Sequence, residues 1–560
     1  MPFIRICQSY GNRNRYREII QKDGETIASA LRRAGYKRSY PCGGNGTCGK
    51  CRFWVMRGHA VLTEEENRLL TKQEIEAGVR LLCRTSFVTD AEIYLDEQIQ
   101  AKEDARIESV GVTPVGQAHT SVKQIHTPSD QTHTPVQKAA AKPVDRSEGS
   151  CFVAADIGTT TIALAMIDRR SGQITASLTM NNSQRQYGGD VISRIKSACE
   201  GNAEELKRLI WQDLLGGMKK LGADAMPGEL IVSANTTMEH LLMGDSCKGL
   251  GVAPFEPAEL GLRTKRLSGI WADRSGMLQD ILTAQGMEAD WQELDVTVLP
   301  GVSAFVGADV VSGICKIGME KKEKISLYLD LGTNGEIVLG NGRGMLAAAT
   351  AVGPAFEGGN ISCGCPGVPG AIYSVSLLGR RLVTHTIGNK RPIGICGTGI
   401  LELTFELYKM GIIGKDGCMQ SYYLERGYPL EEGTAQKPIC YTQADVRQLQ
   451  MAKSAVRSGI ELLMKEMYLT SSDIDKVYLA GGLGYKLNAY KACGIGLIPA
   501  PLRDKTVAVG NTSLQGAIYY GMHKSMAQQL ERAISITKER NLASYPEFEE
   551  YYLRYMDFGV

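Results

Sequence analysis

Little in this chain of 560 residues points to a nucleic acid or a membrane. Lys and Arg number 63 against 61 Asp and Glu, a formal net charge of +2, and no long basic stretch occurs. Holding a phosphate backbone takes concentrated positive charge, so no nucleic-acid partner is expected. No apolar run is long enough to span a bilayer, and no membrane role is expected either. The opening residues, Met1 to Gln8, lack the apolar stretch and cleavage site of an export signal. The chain is therefore expected in the cytoplasm. Its length excludes a single compact domain and suggests three or four.

Cysteine is well represented. The fifteen cysteines are an odd number and, without an export signal, read as reduced thiols. Four of them stand apart. Cys42, Cys48 and Cys51 follow the spacing C-x5-C-x2-C, and Cys83 lies further along. An iron–sulfur cluster of the 2Fe-2S type needs four thiolates, and ferredoxins draw three from one loop and the fourth from a distance. The first gap is one residue longer than in plant-type ferredoxins, and it resembles the bacterial and mitochondrial ones. Gly43, Gly44, Gly46 and Gly49 let the backbone wrap a cluster and aim N–H groups at sulfur. A structural zinc site is the competing reading, but such sites usually pair two C-x2–4-C knuckles and only one is present. Residues 52–56 and 91–95 read as strands and 25–34 as a helix. Together they predict an α+β, ferredoxin-like (β-grasp) domain over 1–97.

Composition then shifts. From about residue 111 to 150 the chain is rich in Thr, Ser, Gln, Pro, Ala and Lys, with a short near-repeat around His126 and His133. It cannot bury enough apolar surface to fold alone, and 98–150 reads as a flexible linker. His119, His126 and His133 recur every seven residues, and read as solvated linker positions rather than metal ligands.

Order resumes at Cys151 with a buried strand, a tight turn at Asp156-Ile-Gly158-Thr159-Thr160, and a second strand. The same unit returns at Asp330-Leu-Gly332-Thr333-Asn334, 174 positions later. Duplication on that scale is of a domain, not of a short repeat. Gly158 and Gly332 allow a ligand to approach the turns closely, and turn N–H groups suit phosphate. Thr159, Thr160, Thr333 and Asn334 can donate to phosphate oxygens. Asp156 and Asp330 can hold Mg2+ directly or through water, or orient an attacking water. A third element, the buried strand into Gly481-Gly482-Leu-Gly484, lets a flat adenosine come close.

Two such turns and the glycine loop, in this order, resemble the actin, sugar-kinase and Hsp70 ATPase superfamily over residues 151–525. That resemblance implies an α/β, duplicated, ribonuclease-H-like fold of two lobes with ATP in the cleft. The lobes are expected at 151–325 and 326–528, with a helical tail at 529–560. Ferredoxin domain, tether and duplicated ATPase in one chain resemble the reductive activators of corrinoid proteins. Segments 235–242, 299–309 and 353–364 support the resemblance.

It implies an ATP-dependent enzyme that passes one electron from a 2Fe-2S cluster to a Co(II) corrinoid protein, regenerating Co(I) for a methyltransferase system. It implies ATP and Mg2+ as cofactors, an upstream electron donor, and room for a homodimer. The alternatives are an ATP-dependent reductant of another low-potential enzyme, a small-molecule kinase with an accessory ferredoxin domain, and a binding-only electron carrier. Activators of 2-hydroxyacyl-CoA dehydratases share the superfamily but hold a 4Fe-4S cluster between subunits and lack the N-terminal domain.

Three further sets of residues carry expectations. Cys363, Cys365 and Cys396, in glycine-rich loops, are expected to pack near the cleft rather than form a second redox site. Glu336 and Glu357 are candidates to assist water activation. Phe548, Tyr551, Tyr552, Tyr555 and Phe558 recur at helical spacing and are expected to pack back on the ATPase rather than meet a partner.

Overall fold

In the first strands, alternate side chains turn inward. Ile4 and Ile6 on β1 (Phe3–Tyr10) and Ala91, Ile93 and Leu95 on β5 (Ala91–Leu95) are buried, as the two-residue period of a half-covered sheet requires. With β2 (Arg13–Ile20), β3 (Arg52–Arg57) and β4 (Val79–Leu81) they form a sheet in the order β2-β1-β5-β3-β4, β1 and β5 running parallel. The helix Ile27–Arg33 packs on it and starts at Thr26, whose hydroxyl accepts from the Ser29 N–H. This is the β-grasp arrangement that the sequence predicts.

The structure is a computed structural model that describes residues 2–10, 13–36, 38, 40, 42–95, 150–223, 226–379, 381–432, 438–481 and 487–560. The predicted linker with His119, His126 and His133, and the glycines Gly482 and Gly484, lie outside the described residues.

Two six-stranded sheets follow. The first contains β6 (Cys151–Ile157), β7 (Thr161–Asp168), β8 (Ile174–Asn181), β9 (Leu230–Ala234), β10 (Arg263–Arg266) and β11 (Asp295–Val298), in the order β10-β11-β9-β6-β7-β8. The second opens with β12 (Ile325–Leu331), β13 (Gly335–Asn341) and β14 (Gly344–Thr350). A smaller sheet is built from β15 (Ala371–Leu378), β16 (Arg381–Thr386) and β17 (Gly394–Ile395), and a ribbon from β18 (Tyr428–Glu432) and β19 (Pro438–Tyr441). Then β20 (Ile474–Ala480), β21 (Thr506–Gly510) and β22 (Thr537–Glu539) complete the second large sheet as β21-β20-β12-β13-β14-β22.

Five strands of each sheet correspond. β6-β7-β8 and β12-β13-β14 are antiparallel meanders; β9 and β20 lie parallel beside their first strands, and β11 and β21 parallel beyond those. The duplicated turn is thus the visible part of a duplicated sheet. The β6 strand is buried on both faces, which is why it reads as a near-continuous apolar run.

The helices Ala308–Lys316 and Thr512–Met522 join the two sheets. One apolar cluster contains Phe152 and Ala154 of the first sheet, Tyr328 and Val338 of the second, and Val310, Ile314 and Ala517 of these helices. They approach through glycine. A Cβ on Gly516 would stand 2.6 Å from the Ser312 carbonyl oxygen, and one on Gly313 2.5 Å from the Tyr328 hydroxyl. Gly516→Ala is therefore expected to destabilise the fold by about 1–3 kcal/mol through overpacking. A denaturant midpoint equal to that of the wild type would refute this reading of the crossing.

The tail differs from a purely helical one. Between the helices Met526–Ile536 and Phe548–Arg554, β22 extends the second sheet by pairing with β14. Beta-branched Thr537 is buried there, and its hydroxyl bonds the Ala533 carbonyl as the helix ends. The aromatic stripe packs inward: Phe558 and Tyr555 are buried, and Phe548 and Tyr551 lie against the second lobe's core. Buried Lys453 donates to the carbonyls of Tyr555 and Asp557, anchoring this end. No helix among the described residues is long and apolar enough to cross a membrane.

Candidate functional site

Two places in the fold bring chemistry-bearing residues together. The first is the loop between the helix Ile27–Arg33 and β3. Gly43, Gly44, Gly46 and Gly49 all take positive φ, between 62° and 85°, a conformation glycine adopts without steric cost. At Gly46 the reason is also spatial, since a Cβ would lie 2.1 Å from the Arg84 Nε.

Cys42, Cys48 and Cys51 of this loop and Cys83, just beyond β4, form two pairs of thiols. Cys51 Sγ and Cys83 Sγ are 3.2 Å apart. The Cys42 thiol is bonded by Cys48 and by the N–H groups of Thr47 and Cys48, which bring it down to about 4 despite burial. Cys83 is held below its ordinary value by Cys51, aided by the Arg84 charge and the Gly46 N–H. Backbone donors thus already point at sulfur, as a cluster's thiolates require. The set offers four thiols, the number of ligands that a 2Fe-2S group would take.

The second place is the cleft between the two large sheets. Asp156, near the end of β6, accepts from Asn511 Nδ2 and Ser513 Oγ, each at 2.7 Å, and both donors come from the other lobe. Asp330, near the end of β12, accepts from the Tyr328 hydroxyl at 3.2 Å, and that hydroxyl meets Thr512 Oγ1 at 2.8 Å. The two turns face each other across Glu357. Thr160 donates to Glu357 Oε1 at 3.1 Å and Thr333 to Oε2 at 3.0 Å.

Each turn is braced from behind. Gly158 N–H bonds Thr161 O and Gly332 N–H bonds Asn334 O. Asn182 Nδ2 holds the Gly158 carbonyl at 2.9 Å, buried Arg194 donates to the Thr159 carbonyl, and Asn235 Nδ2 reaches Thr159 Oγ1 at 3.3 Å. Gly481, at φ +80°, leaves no space for a side chain: a Cβ would stand 2.4 Å from Asp330 Oδ1.

The cleft is crowded with buried acids. Burial, then the Asp330 charge, pushes Asp309 up to about 7. Burial, then Asp156, does the same for Asp330. Burial also raises Asp156, Glu239, Glu336 and Glu357. Such a concentration of carboxylate favours a cation as counter-charge.

Of the residues singled out in the sequence, Asp156, Gly158, Thr159, Thr160, Asp330, Gly332, Thr333, Asn334, Glu336, Glu357 and Gly481 belong to this cleft. Cys363, Cys365 and Cys396 are buried in apolar packing of the second lobe, Cys363 in its main core and the other two beside Val368 and Ala371. Sequence reasoning assigned no role to Asp309, Glu239, Arg194, Asn511 and Ser513. A signal for the asparagines was available: Asn-Thr-Thr at 235–237 and Asn-Thr-Ser at 511–513 both begin helices. Asn235 and Asn511 cap those helices with their oxygens and turn their amide nitrogens to the cleft.

Fold and site define the class: an actin/Hsp70/sugar-kinase-type domain joined to a ferredoxin-like domain. Three family models match, described as the 2Fe-2S iron-sulfur cluster binding domain (residues 12–87), the RACo middle region (151–271) and the C-terminal domain of RACo, the ASKHA domain (324–559). The chain belongs to the family of reductive activators of corrinoid proteins. It is 30% identical over 436 residues to the corrinoid activation enzyme RamQ of Eubacterium limosum, covering 73% of this chain and 70% of that one. It is 28% identical over 283 residues to the [Co(II) methylated amine-specific corrinoid protein] reductase of Methanosarcina barkeri, covering 46% and 51%. Among solved structures, a reductive activator for corrinoid, iron-sulfur protein shares the fold with a TM-score of 0.66 at 24% identity, covering 100% of this chain and 98% of that one.

Proposed function

We propose that this protein is an ATP-dependent reductive activator that returns a Co(II) corrinoid protein to Co(I) for a methyltransferase system. One observation carries the reading: a set of four thiols stands in the same chain as two facing phosphate-type turns bridged by Glu357. Cys42, Cys48, Cys51 and Cys83 hold the 2Fe-2S cluster, which when bound supplies single electrons.

Thr159, Thr160, Thr333 and Asn334 donate to the phosphates of ATP, and the turn N–H groups add to them. Asp156 and Asp330 carry Mg2+, directly or through water, as is usual for a metal that keeps several waters. Gly481, with Gly482 and Gly484, lets the adenosine approach. Thr160 and Thr333 exchange Glu357 for phosphate oxygens when nucleotide enters, and Glu357 is left free to orient water. An upstream donor reloads the cluster in the cytoplasm. Homodimer formation is compatible with this scheme.

The energetic task is to lower an uphill electron transfer. For one electron each ~59 mV corresponds to about 1.4 kcal/mol. A preference of a few kcal/mol for one state of the docked partner therefore offsets about 100–200 mV. The ATPase docks the Co(II) partner and alters its cobalt coordination, the tethered domain comes in, and hydrolysis releases the complex. On the sequence expectation of a flexible tether of about 40 residues, an r.m.s. span of roughly 30–40 Å would allow that travel.

The test mixes reduced protein, a Co(II) corrinoid protein and Mg-ATP, and follows Co(I) absorbance. An ATP-dependent Co(I) signal is expected. Its absence with every corrinoid partner tried would overturn the reading, and shortening the tether without loss of turnover would overturn the travel.

A further inference from the structure

The ferredoxin-like domain does not stand free of the ATPase. Its cluster loop and preceding helix rest on the segment 183–196 of the first lobe. Arg32 Nη2 donates to the Gln186 carbonyl at 2.9 Å, and its guanidinium lies 4.2 Å from the Tyr187 ring centroid. Tyr40 N–H reaches the Arg185 carbonyl at 3.4 Å, and Lys196 Nζ reaches Asn45 Oδ1 at 3.4 Å. At Gly43, next to Cys42, a Cβ would stand 3.0 Å from the Tyr187 carbonyl oxygen. On the other side Lys50 donates to Asn360 Oδ1 of the second lobe. Asn360 is held there at φ 59°, in the left-handed region that asparagine tolerates better than most residues.

Both footholds connect to the cleft. Asn182 starts the turn Ser183–Tyr187 by accepting from the Gln184 N–H, while its amide holds the Gly158 carbonyl. Arg194 closes the same segment onto the Thr159 carbonyl. Asn360 is three residues beyond Glu357, which joins the two turns, and the Arg185 charge reaches Glu357.

We infer that the ATPase carries a docking face for its own ferredoxin-like domain, and that the docked domain spans the cleft rim as a latch holding the two lobes closed. The hydrogen bonds between the described residues on the two sides are polar contacts of the kind found in reversible domain interfaces. A group bridging two lobes favours the arrangement in which both footholds are in register, here the one where Asn511 and Ser513 reach across to Asp156. Coupling is reciprocal: a latch that favours closure retains nucleotide, and nucleotide retains the latch. Docking also places Cys42 one residue from the interface, so a partner approaching by that edge must displace the latch.

The inference uses the nucleotide-binding part of the functional reading but not the corrinoid part. Its test uses the full cluster-loaded chain and two variants: R32A, on the ferredoxin side, and N360G, which removes the second foothold while permitting the same φ. In the wild type, amides of 183–196 should exchange with deuterium more slowly than in either variant. A nonhydrolysable ATP analogue should leave the variants about fivefold faster or more.

The visible cluster spectrum reports whether R32A still folds around its cluster; if it does not, N360G decides. Equal exchange in 183–196, or dissociation rates within about twofold, in every variant with an intact spectrum overturns the latch even where Co(I) formation is normal. Failure of the analogue to bind the wild type would overturn the nucleotide reading, and the latch with it.

Discussion

Replacing Cys48 with alanine is expected to abolish Co(II) reduction while leaving a nucleotide-binding protein. Cys48 lies between Thr47, whose N–H serves the Cys42 sulfur, and Gly49, which turns the chain toward Cys51. Its thiol is the partner of Cys42, so alanine leaves one pair with a single sulfur. A four-thiolate cluster then lacks a ligand, and the electron-carrying absorption bands should fall well below those of the wild type. Co(I) formation should drop by at least about a hundredfold, and an analogue of ATP should still bind. The cleft residues all come from 151 onward, and their hydrogen bonds need no cluster. A variant that kept both the absorption and the reduction would remove Cys48 from the ligand set. One that lost nucleotide binding altogether would show that the two sites are not separable.

The second large effect is expected from Asp330→Asn. Asparagine keeps the shape and can still accept from Tyr328, but it removes a charge from the cleft. Nucleotide hydrolysis should fall by about a hundredfold or more, in the range of lost general-base or charge-stabilising groups. Co(I) formation should fall with it, and the cluster's spectrum should not change.

The same substitution should not weaken the fold. Burial and Asp156 push Asp330 from its ordinary 3.8 up to about 7, so the folded state binds a proton more tightly than the unfolded chain. Stability measured with chelator present should decline as pH rises from about 4 to about 7, because over that window the folded state holds more protons. Asp330→Asn should flatten this decline and leave the thermal midpoint at neutral pH unchanged or raised. Sites that gather like charges for function commonly sacrifice stability. A lower midpoint with full hydrolysis would place Asp330 in the fold's support rather than in the chemistry.

Reach along the chain decided what could be read without a structure. The cluster loop was legible because three of its cysteines and all its glycines lie within ten residues, and the required positive φ values select glycine locally. The phosphate-type turns were legible because each is a hairpin whose strands and turn are contiguous. Their repetition then pointed to a duplicated domain, while the return of β9 and β20 parallel beside β6 and β12 was visible only in the structure. The linker and the termini of the glycine loop at Gly482 and Gly484 lie outside the described residues and remain expectations of the sequence.

The tail was read less completely. Its helical spacing predicted the inward aromatic face, but β22 is three residues long, too short for a period to register.

By itself, then, the sequence determined the cluster motif, the two turns and the duplicated architecture, because each is encoded by neighbours in the chain. Only the tertiary structure decided the partnerships. Asn511 and Ser513 reach Asp156 across more than 350 residues of chain, Glu357 joins Thr160 to Thr333, and Lys50 meets Asn360 across 310. The physical reason is that a hydrogen bond acts over about 3 Å in space whatever the separation in sequence. No local preference for helix, strand or turn specifies which distant side chain will stand at that distance.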